Sequence, residues 1–270
     1  MVLTMHKRIL VITDCSDVAA NELSAVLALS LEKLGADDII IEPVVTVPEF
    51  SVLNASFVAR LLVESYDPEY LTILSVVNPL DTSNSKRARI AGKLKNGLQF
   101  VGGNTGVFSL LINDFGIDEL YETDQTGLKG DKFISFGGKY IHAPIAAKLA
   151  ATGDLDVVKV GDFTEKDLIK LPYDKGVVLH IDNFGVAKIF YTLKQLNPKP
   201  NQKFRLTVNS EDKGDIVFCG SMKELDDEAL AIYQGSSLGL LEIGYVRRTG
   251  TAQKLRINIG DTIELHPRGS

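Results

Sequence analysis

The sequence contains little of what several common classes of site require. Among its 270 residues there is no tryptophan, and there are only four histidines and two cysteines. Cys15 and Cys219 lie far apart, and neither belongs to a spacing typical of zinc ligands, so we expect no metal site. Two isolated cysteines without a disulfide framework are typical of a reducing compartment, and we expect a cytoplasmic protein.

Basic clusters and long apolar runs are also missing. The chain carries 29 Lys and Arg against 35 Asp and Glu, a formal net charge of −6, and no basic block stands out. We expect no nucleic-acid partner, because phosphate binding depends on clustered Lys and Arg. No stretch reaches the roughly 18 apolar residues of a membrane span, and no signal peptide is recognisable near the first residue. We therefore expect no membrane partner.

What the sequence does contain is a regular alternation of strand and helix patterns in its first part. Short apolar runs are typical of buried parallel strands, and apolar residues at three- and four-residue spacing predict helices. The predicted strands are 8–14, 39–41, 71–77, 89–94, 98–101 and 118–123, and the predicted helices are 18–34, 52–64, 106–115 and 143–151. This alternation predicts an α/β domain with a mainly parallel sheet covered by helices.

After about residue 172 the pattern changes to short strand-like runs separated by turns. The predicted strands there are 176–182, 187–193, 203–208, 215–219, 240–246 and 262–265. We therefore predict an α/β domain over residues 5–172, followed by a smaller, mostly-β and barrel-like domain over residues 173–265. Residues 266–270 resemble a short tail left by cloning, and we expect them to lie outside the fold.

Two polar residues follow predicted parallel strands. Asp14 ends the first strand and Asn78 follows the third. In parallel sheets ligands bind beyond the carboxyl ends of the strands. We therefore expect Asp14 and Asn78 to share one edge of the sheet and to face a ligand.

Seven segments, in order along nearly the whole chain, resemble the S-adenosylmethionine (SAM) hydroxide adenosyltransferase family, which includes SAM-dependent chlorinases and fluorinases. The family patterns are T-D-F-G, P-P-F-x-V…A-A-F, V-V-D-P, F-V-G-P-D-N-G-V-L-S-L, F-H-G-R-D-I-F-A-P-V-A-A, H-I-D-x-F-G-N and N-S-x-G-x-L-E-I. The matching segments are residues 12–14, 47–57, 76–79, 100–110, 136–147, 180–185 and 236–243.

The resemblance implies an activity and an assembly. Members of this family displace L-methionine from the ribose C5′ of SAM with water or halide, and no further cofactor takes part. The resemblance also implies a homotrimer in which SAM lies between the first domain of one subunit and the second domain of its neighbour.

The catalytic residues implied by the resemblance are incomplete in this chain. Hydrolytic members resemble one another in an Asp–Arg–His set, but Asn78 stands at the Asp position and Gly137 at the His position. The arginine is expected to be Arg87, or Lys86 if the loop holds one extra residue. Asp81 either supplies a replacement carboxylate or caps a local turn, and both interpretations stay open. The predicted catalytic residues are Asn78, Asp81 and Arg87.

Ligand-binding residues of the first domain match the family patterns more closely. Asp14 is expected to accept hydrogen bonds from the ribose hydroxyls, with helix capping as the alternative. Phe50 and Phe136 are expected to form aromatic walls or to pack in the core, and the backbone of Gly138 is expected close to the reacting carbon. Asn21 is either a contact to the methionine carboxylate or an exposed helix residue.

The second domain supplies the other implied contacts. Asp182 is expected to pair with the substrate ammonium and Phe184 to cover the adenine, unless they serve a turn and the core. Ser237 and Gly239 are the remaining predicted ligand contacts. Val186 replaces the Asn of F-G-N and so removes an expected polar contact to the adenine. A ligand with a different nucleoside therefore stays an alternative. His142 and His180 are expected to be structural rather than catalytic.

Three functions therefore stay open at the level of sequence. The first is a SAM hydrolase that forms adenosine and L-methionine. The second is a catalytically impaired protein that binds SAM or adenosine, suggested by the missing Asp and His. The third is a SAM-dependent halogenase, ranked last because the carboxylate of Asp81 would repel a halide near the path of attack.

Overall fold

The computed structural model describes residues 5–80, 88–123, 135–154 and 163–268 of the chain. The chain divides into two compact units, Met1–Leu171 and Pro172–Ser270, and each is built around its own sheet. No helix among the described residues is long and apolar enough to cross a membrane.

The first unit combines strands and helices. Its strands are β1 (Arg8–Thr13), β2 (Ile40–Ile41), β3 (Val45–Thr46), β4 (Leu71–Val76), β5 (Arg89–Leu94), β6 (Gln99–Gly103) and β7 (Ile117–Glu122). Its helices are α1 (Asp17–Lys33), α2 (Val52–Val63), α3 (Ser109–Phe115) and α4 (Ala143–Thr152), with 3₁₀ turns at Pro68–Tyr70 and Glu165–Asp167 and one π-helical turn at Gly138–His142.

The sheet of the first unit is mixed. Its strand order is β2-β1-β4-β6-β5-β7, with β3 also paired to β1. The four pairings that involve β1 or β4 are parallel, whereas β5 pairs antiparallel with both β6 and β7. The sequence indicated the β5–β6 hairpin through Lys95-Asn96-Gly97, and Gly97 has the positive φ of 93° that this turn requires.

Burial explains why these segments form strands and helices. All six residues of β4 are buried, as are five of the six in β1, which suits central strands covered on both faces. Helix α1 buries Leu23, Leu27 and Leu31, which recur every four residues and therefore form one stripe along the helix. Helix α4 is rich in alanine, and its small side chains join the same core cluster.

The second unit consists mainly of strands. They are β8 (Val178–Ile181), β9 (Ala187–Thr192), β10 (Lys203–Val208), β11 (Glu211–Phe218), β12 (Leu230–Gln234), β13 (Leu240–Tyr245) and β14 (Ile263–Pro267). Two short helices, α5 (Leu193–Leu196) and α6 (Thr251–Leu255), and a 3₁₀ turn at Met222–Glu224 complete it.

The second sheet curls so that its two outermost strands meet. The strand order is β14-β10-β11-β12-β13-β9-β8. Val177 bridges to Thr262, and the Ile263 N–H donates to the Gly176 carbonyl over 2.9 Å. Alternate residues of the strands point to the inner face of the sheet and form one apolar cluster. Its members include Ile189, Leu241 and Ile243. This curled sheet corresponds to the barrel-like domain that the sequence suggested.

The expectation that residues 266–270 lie outside the fold is wrong for its first residues. His266 and Pro267 belong to β14 and pair with Arg205 and Phe204 of β10. The Arg268 N–H then donates to the Lys203 carbonyl over 3.0 Å. Backbone pairing along an edge strand depends little on side-chain identity, so a segment that resembles a tail can still extend a strand.

Gly176 closes the curled sheet, and we expect Gly176→Ala to destabilise the protein by at least about 2 kcal/mol. Its φ is +90°, and a Cβ there would overlap the Ile263 carbonyl oxygen. Gly214 is a matched control, because its φ is +100° but no atom of the described residues lies within 4 Å of an added Cβ. Urea unfolding of both variants measures the difference, and equal losses of stability would contradict this explanation.

Candidate functional site

The carboxyl ends of β1 and β4 lie side by side. Thr13 pairs with Val76 in the parallel register, the Thr13 hydroxyl donates to the Val76 carbonyl over 2.8 Å, and the Asp14 N–H lies 3.4 Å from the same oxygen. Asp14 and Asn78 therefore lie at the same edge of the sheet. We call residues 13–14 and 76–78 the strand-end rim.

Asp14 holds the loop that follows β3. Its carboxylate Oδ2 accepts the Phe50 N–H over 3.1 Å, and Phe50 has a φ of 57°, which non-glycine residues seldom adopt. Phe50 is 48 % exposed, so it is not a core residue. Within the described ranges, Oδ1 of Asp14 has no hydrogen-bond partner, and Ser16 rather than Asp14 is the N-cap residue of α1. One carboxylate oxygen at the rim is thus available to a ligand.

Gly138 packs directly on the strand-end rim. A Cβ at this position would overlap a methyl group of Val76, and it would lie 3.0 Å from the other methyl and 3.2 Å from the Phe136 ring. Gly138 begins the π-helical turn that leads into α4, and such turns are frequent at functional sites. Phe136 is partly buried against the core cluster of the first unit. The missing Cβ lets the backbone of residue 138 approach the end of β4.

Gly137 contacts a basic side chain that is distant in sequence. A Cβ at Gly137 would lie 3.1 Å from Nη2, 3.6 Å from Nε and 3.8 Å from Cζ of Arg89. Burial lowers the pKa of Arg89 from its usual value, and the guanidinium stays charged at neutral pH. The Arg89 backbone is fixed, because its carbonyl accepts the Thr123 N–H over 2.8 Å. A side chain at position 137 would therefore require this cation to shift.

In the second unit, Asp182 organises a tight turn. Its Oδ1 accepts the N–H groups of Phe184 and Val186 over 3.0 and 2.9 Å, and its Oδ2 lies 3.8 Å from Nζ of Lys188. Phe184 is 57 % exposed at the tip of this turn. The structure therefore gives Asp182 the turn role that the sequence left open, with Lys188 beside its second oxygen.

Ser237 and Gly239 lie in the turn between β12 and β13. The Leu240 N–H donates to the Ser237 carbonyl over 3.1 Å, and Gly239 has a φ of 64°. The strand register places Asp182 near the Ala187–Ile243 pair and this turn beyond the Leu240–Thr192 pair. The four predicted contacts of the second unit thus fall at two opposite ends of β9 and β13.

Between those ends lies a polar row that sequence reasoning missed. Register pairs Tyr233 with Glu242, Glu242 with Lys188 and Lys188 with His180 across four strands. Lys188 and Glu242 are only 8 % and 7 % exposed, and Nζ donates to Oε1 over 2.6 Å. Burial, followed by Glu242, raises the pKa of Tyr233, and burial with the Lys188 charge lowers that of His180. The alternation of polar and apolar residues along each strand places these four side chains on one face, but the sequence does not show which strands pair. The row could therefore be recognised only once the pairing was known.

The family model for the SAM hydroxide adenosyltransferase N-terminal domain matches residues 9–159, more than half of the chain. The chain belongs to the SAM hydroxide adenosyltransferase family.

A curated relative of this family member, the (R)-S-adenosyl-L-methionine hydrolase of Methanocaldococcus jannaschii, is 23 % identical over 180 residues. That alignment covers 65 % of this chain and 64 % of the relative, so the match spans slightly less than two thirds of that protein.

Two solved structures are similar over almost the whole chain. A conserved protein from Thermotoga maritima is 24 % identical, with a TM-score of 0.79 over 95 % of this chain and 99 % of that one. A conserved protein from Thermus thermophilus is 20 % identical, with a TM-score of 0.72 over 97 % of this chain and 100 % of that one. At these identities the likeness concerns the fold.

For this SAM hydroxide adenosyltransferase family member, the structure describes one of the three predicted catalytic residues, Asn78. Asn78 is exposed two residues beyond β4. Asp81 and Arg87, like the alternative Lys86, lie outside the described residues. Asn21 is exposed on α1 and lines a surface groove of about 520 Å³ with residues such as Ser24 and Ile41.

No group of three or more His, Cys, Asp or Glu side chains within the described ranges is arranged to hold a metal ion.

His142 is buried at the end of the π-helical turn, and neither ring nitrogen has a hydrogen-bond partner among the described residues. Burial, and then the charge of Arg89, lower the pKa of His142 to about 3. With so low a pKa and so little exposed surface, His142 is too weak a base and too enclosed to take a proton from water at neutral pH. This supports the structural role that the sequence indicated.

The buried His142 makes stability depend on pH. Because its folded pKa lies below the unfolded value of about 6.5, the unfolded chain binds the extra proton and stability falls as the pH drops below 6.5. Between pH 7 and 5 we expect a loss of about 2 kcal/mol from this residue. His142→Phe should lose correspondingly less, as urea unfolding at both pH values would measure. The same loss in both proteins would contradict the assignment.

Proposed function

We propose that this protein is a SAM hydrolase that converts SAM and water to adenosine and L-methionine. The observation that carries the proposal is the strand-end rim, where Asp14 lies beside Phe50 and next to Asn78 and presents a carboxylate oxygen that has no hydrogen-bond partner among the described residues. Family membership and the curated relative support the same reaction.

The protein contributes to this reaction mainly by aligning the reacting atoms and by excluding bulk solvent from them. Water attacks C5′, the C5′–S bond breaks, and its electron pair goes to the sulfur, so methionine leaves as a neutral thioether. One proton of the attacking water goes to bulk solvent. Because the sulfonium is already a good leaving group, catalysis rests on holding the oxygen in line with C5′ and sulfur.

The residues of the first unit fit distinct parts of the substrate. Asp14 would accept hydrogen bonds from the ribose hydroxyls, since an ionised carboxylate is an acceptor only. The exposed Phe50 ring would cover the nucleoside, with Phe136 beyond it, and the backbone of Gly138 would lie close to C5′. Asn78 cannot act as a base at neutral pH, but its amide can orient a water molecule.

In the second unit we propose a binding role for the turn and its neighbours. Asp182 would bind the substrate ammonium through Oδ2, the oxygen that accepts neither backbone N–H of its turn. Phe184 would cover the adenine, because its ring is exposed at the tip of that turn. Ser237 and Gly239 would contact the ligand from the turn before β13.

A second candidate is a protein that binds SAM or adenosine without turning it over. Asn78 and Gly137 favour it, because neither can accept a proton as the Asp and His of hydrolytic members would. A SAM-dependent halogenase is the third, and it differs from the first only in the nucleophile.

Incubation with SAM in ¹⁸O-labelled water separates these candidates. A hydrolase gives adenosine and methionine in equal amounts, with the label in the 5′ oxygen of adenosine. A binding protein gives neither product, but SAM or adenosine raises its melting temperature. A halogenase gives a 5′-halogenated nucleoside when chloride or fluoride is added. Absence of both turnover and stabilisation would contradict all three.

We also propose a homotrimer in which the first unit of one subunit and the second unit of its neighbour hold each ligand, as the family resemblance implies. Sedimentation equilibrium gives the mass of the assembly, and a monomer at working concentration would contradict it. Cys15 and Cys219 are both free thiols, which supports the proposal that the protein works in the cytoplasm.

A further inference from the structure

The missing histidine of this family member leaves a space, and Arg89 occupies it. Nη2 of Arg89 lies 3.1 Å from the place where a Cβ of residue 137 would be, so the guanidinium lies directly against the Gly137 backbone. Even a methyl group at 137 would require the guanidinium to shift by a few tenths of an ångström. Gly137 and Arg89 therefore form a matched pair in which the glycine is needed for the position of the arginine.

The pair lies at the strand-end rim. Gly137 is flanked by Phe136 and by Gly138, and a Cβ at Gly138 would overlap Val76 at the end of β4. Arg89 is the first residue of β5 and pairs with Gly103 at the end of β6, the strand next to β4. The guanidinium is thus brought to the edge of the sheet where the ligand is proposed to bind.

The backbone on both sides of the pair is fixed. The Arg89 carbonyl accepts the N–H and the hydroxyl of Thr123 over 2.8 and 3.3 Å. The Asn104 N–H donates to the Ala88 carbonyl over 2.9 Å on the other side. Gly137 has an ordinary helical φ of −59°, so its lack of a side chain does not serve backbone conformation. Among the described residues, the guanidinium of Arg89 is what a side chain at position 137 would meet.

We propose that Arg89 holds the nucleophile of the reaction, in the place where hydrolytic members have their histidine. This inference rests on the proposed function. A guanidinium cannot take up a proton at neutral pH, so it acts through N–H donation and positive charge. It therefore suits a small nucleophile that attacks as an anion, either hydroxide or a halide.

Attack on C5′ needs no proton-accepting side chain of the protein. Water gives its proton to bulk solvent, and the hydroxide oxygen is held by the guanidinium N–H groups. The O–C5′ bond forms while the C5′–S bond breaks, and the bonding pair stays on sulfur, which gives adenosine and neutral L-methionine. With a halide, the halogen–C5′ bond forms in the same way and no proton moves.

The test removes the guanidinium and then returns it. We expect Arg89→Met to lower kcat at least about 100-fold, because the nucleophile is no longer held in line with C5′ and sulfur, with KM for SAM changed less than about threefold. Guanidinium ion added at low concentration should then restore at least about tenfold of the lost rate, whereas methylammonium at equal ionic strength should not. A side chain needed only for packing would not be replaced by a soluble cation.

A matched control and a second variant keep the result interpretable. Arg60 is another partly buried arginine of the first unit, paired with Asp114, and Arg60→Met should lose little activity and show no response to guanidinium. Gly137→Ala keeps Arg89 but places a methyl group 3.1 Å from Nη2, so we expect about a tenfold lower kcat with the melting temperature lowered by only a few degrees. This variant tests the pair if Arg89→Met does not fold.

The outcomes distinguish this inference from the proposed function. Wild-type protein that forms no product from SAM overturns both. Wild-type turnover with unchanged kcat in Arg89→Met, or loss of kcat without recovery by guanidinium, overturns the role of Arg89 alone. A 5′-halogenated nucleoside formed with added chloride or fluoride, and lost in Arg89→Met, supports Arg89 while correcting the nucleophile from hydroxide to halide.

Discussion

Lys188→Met is expected to destabilise the protein by about 3–5 kcal/mol, because it leaves the carboxylate of Glu242 buried without its counterion. Nζ of Lys188 lies 2.6 Å from Oε1 of Glu242, and both side chains are almost fully enclosed. The same change also removes the cation 3.8 Å from Oδ2 of Asp182. Urea unfolding at pH 7 measures the loss of stability.

The paired variant identifies the cause of that loss. Lys188→Met combined with Glu242→Leu replaces both charges with apolar side chains, and such replacements are often neutral or stabilising. We therefore expect the double variant to recover most of the lost free energy of unfolding. Arg247→Met, which breaks an exposed ion pair with Asp227, should change stability by less than about 0.5 kcal/mol. A double variant no more stable than Lys188→Met would show that the buried charge is not the cause.

Most of the first unit could be predicted from the sequence because its elements carry strong local patterns. The helix predicted at 18–34 is observed as Asp17–Lys33, and the strand predicted at 71–77 as Leu71–Val76. The helix buries a continuous stripe of apolar residues and the strand is buried along its whole length, so the apolar pattern of the sequence locates both. The helix predicted from 106 begins instead at Ser109, because Gly106 has a φ of 94° and lies in a turn.

The second unit was harder to predict where strands are short or partly exposed. Strand β12 (Leu230–Gln234) was missed, and its parallel pairing with β11 comprises only two residue pairs. The first half of β11 carries Glu211, Asp212 and Lys213 and is largely exposed, so apolar patterning indicated only its second half. In such segments the strand is determined by long-range pairing rather than by local propensity.

The candidate site shows the same division between local and long-range information. Asp14 and Asn78 follow two parallel strands, and the prediction that they share one edge of the sheet is confirmed by the pairing of Thr13 with Val76. Arg89 could not be assigned to the site in this way. Its neighbour Gly137 is 48 residues later in the chain, and only the folded structure brings them together.

Asp14→Ala is expected to lower kcat/KM for SAM at least about 100-fold. Hydrogen bonds from ligand hydroxyls to a charged group are worth about 1.5–3 kcal/mol each, and Asp14 is proposed to accept them from the ribose. The variant also loses the acceptor of the Phe50 N–H, so a lower rate alone would not distinguish ribose binding from movement of that loop. Asp14→Asn retains an acceptor oxygen for Phe50 while removing the charge.

Deoxynucleosides separate the two roles of Asp14, because they remove the hydroxyl from the ligand instead of the carboxylate from the protein. If Asp14 binds the ribose, wild-type protein should bind adenosine at least about tenfold more tightly than 2′- or 3′-deoxyadenosine, and Asp14→Ala should bind all three about equally. Calorimetric titration of both proteins with the three ligands completes this thermodynamic cycle. Discrimination that persists in Asp14→Ala would assign the carboxylate to the Phe50 loop alone, because a residue that does not contact the hydroxyls cannot abolish their contribution.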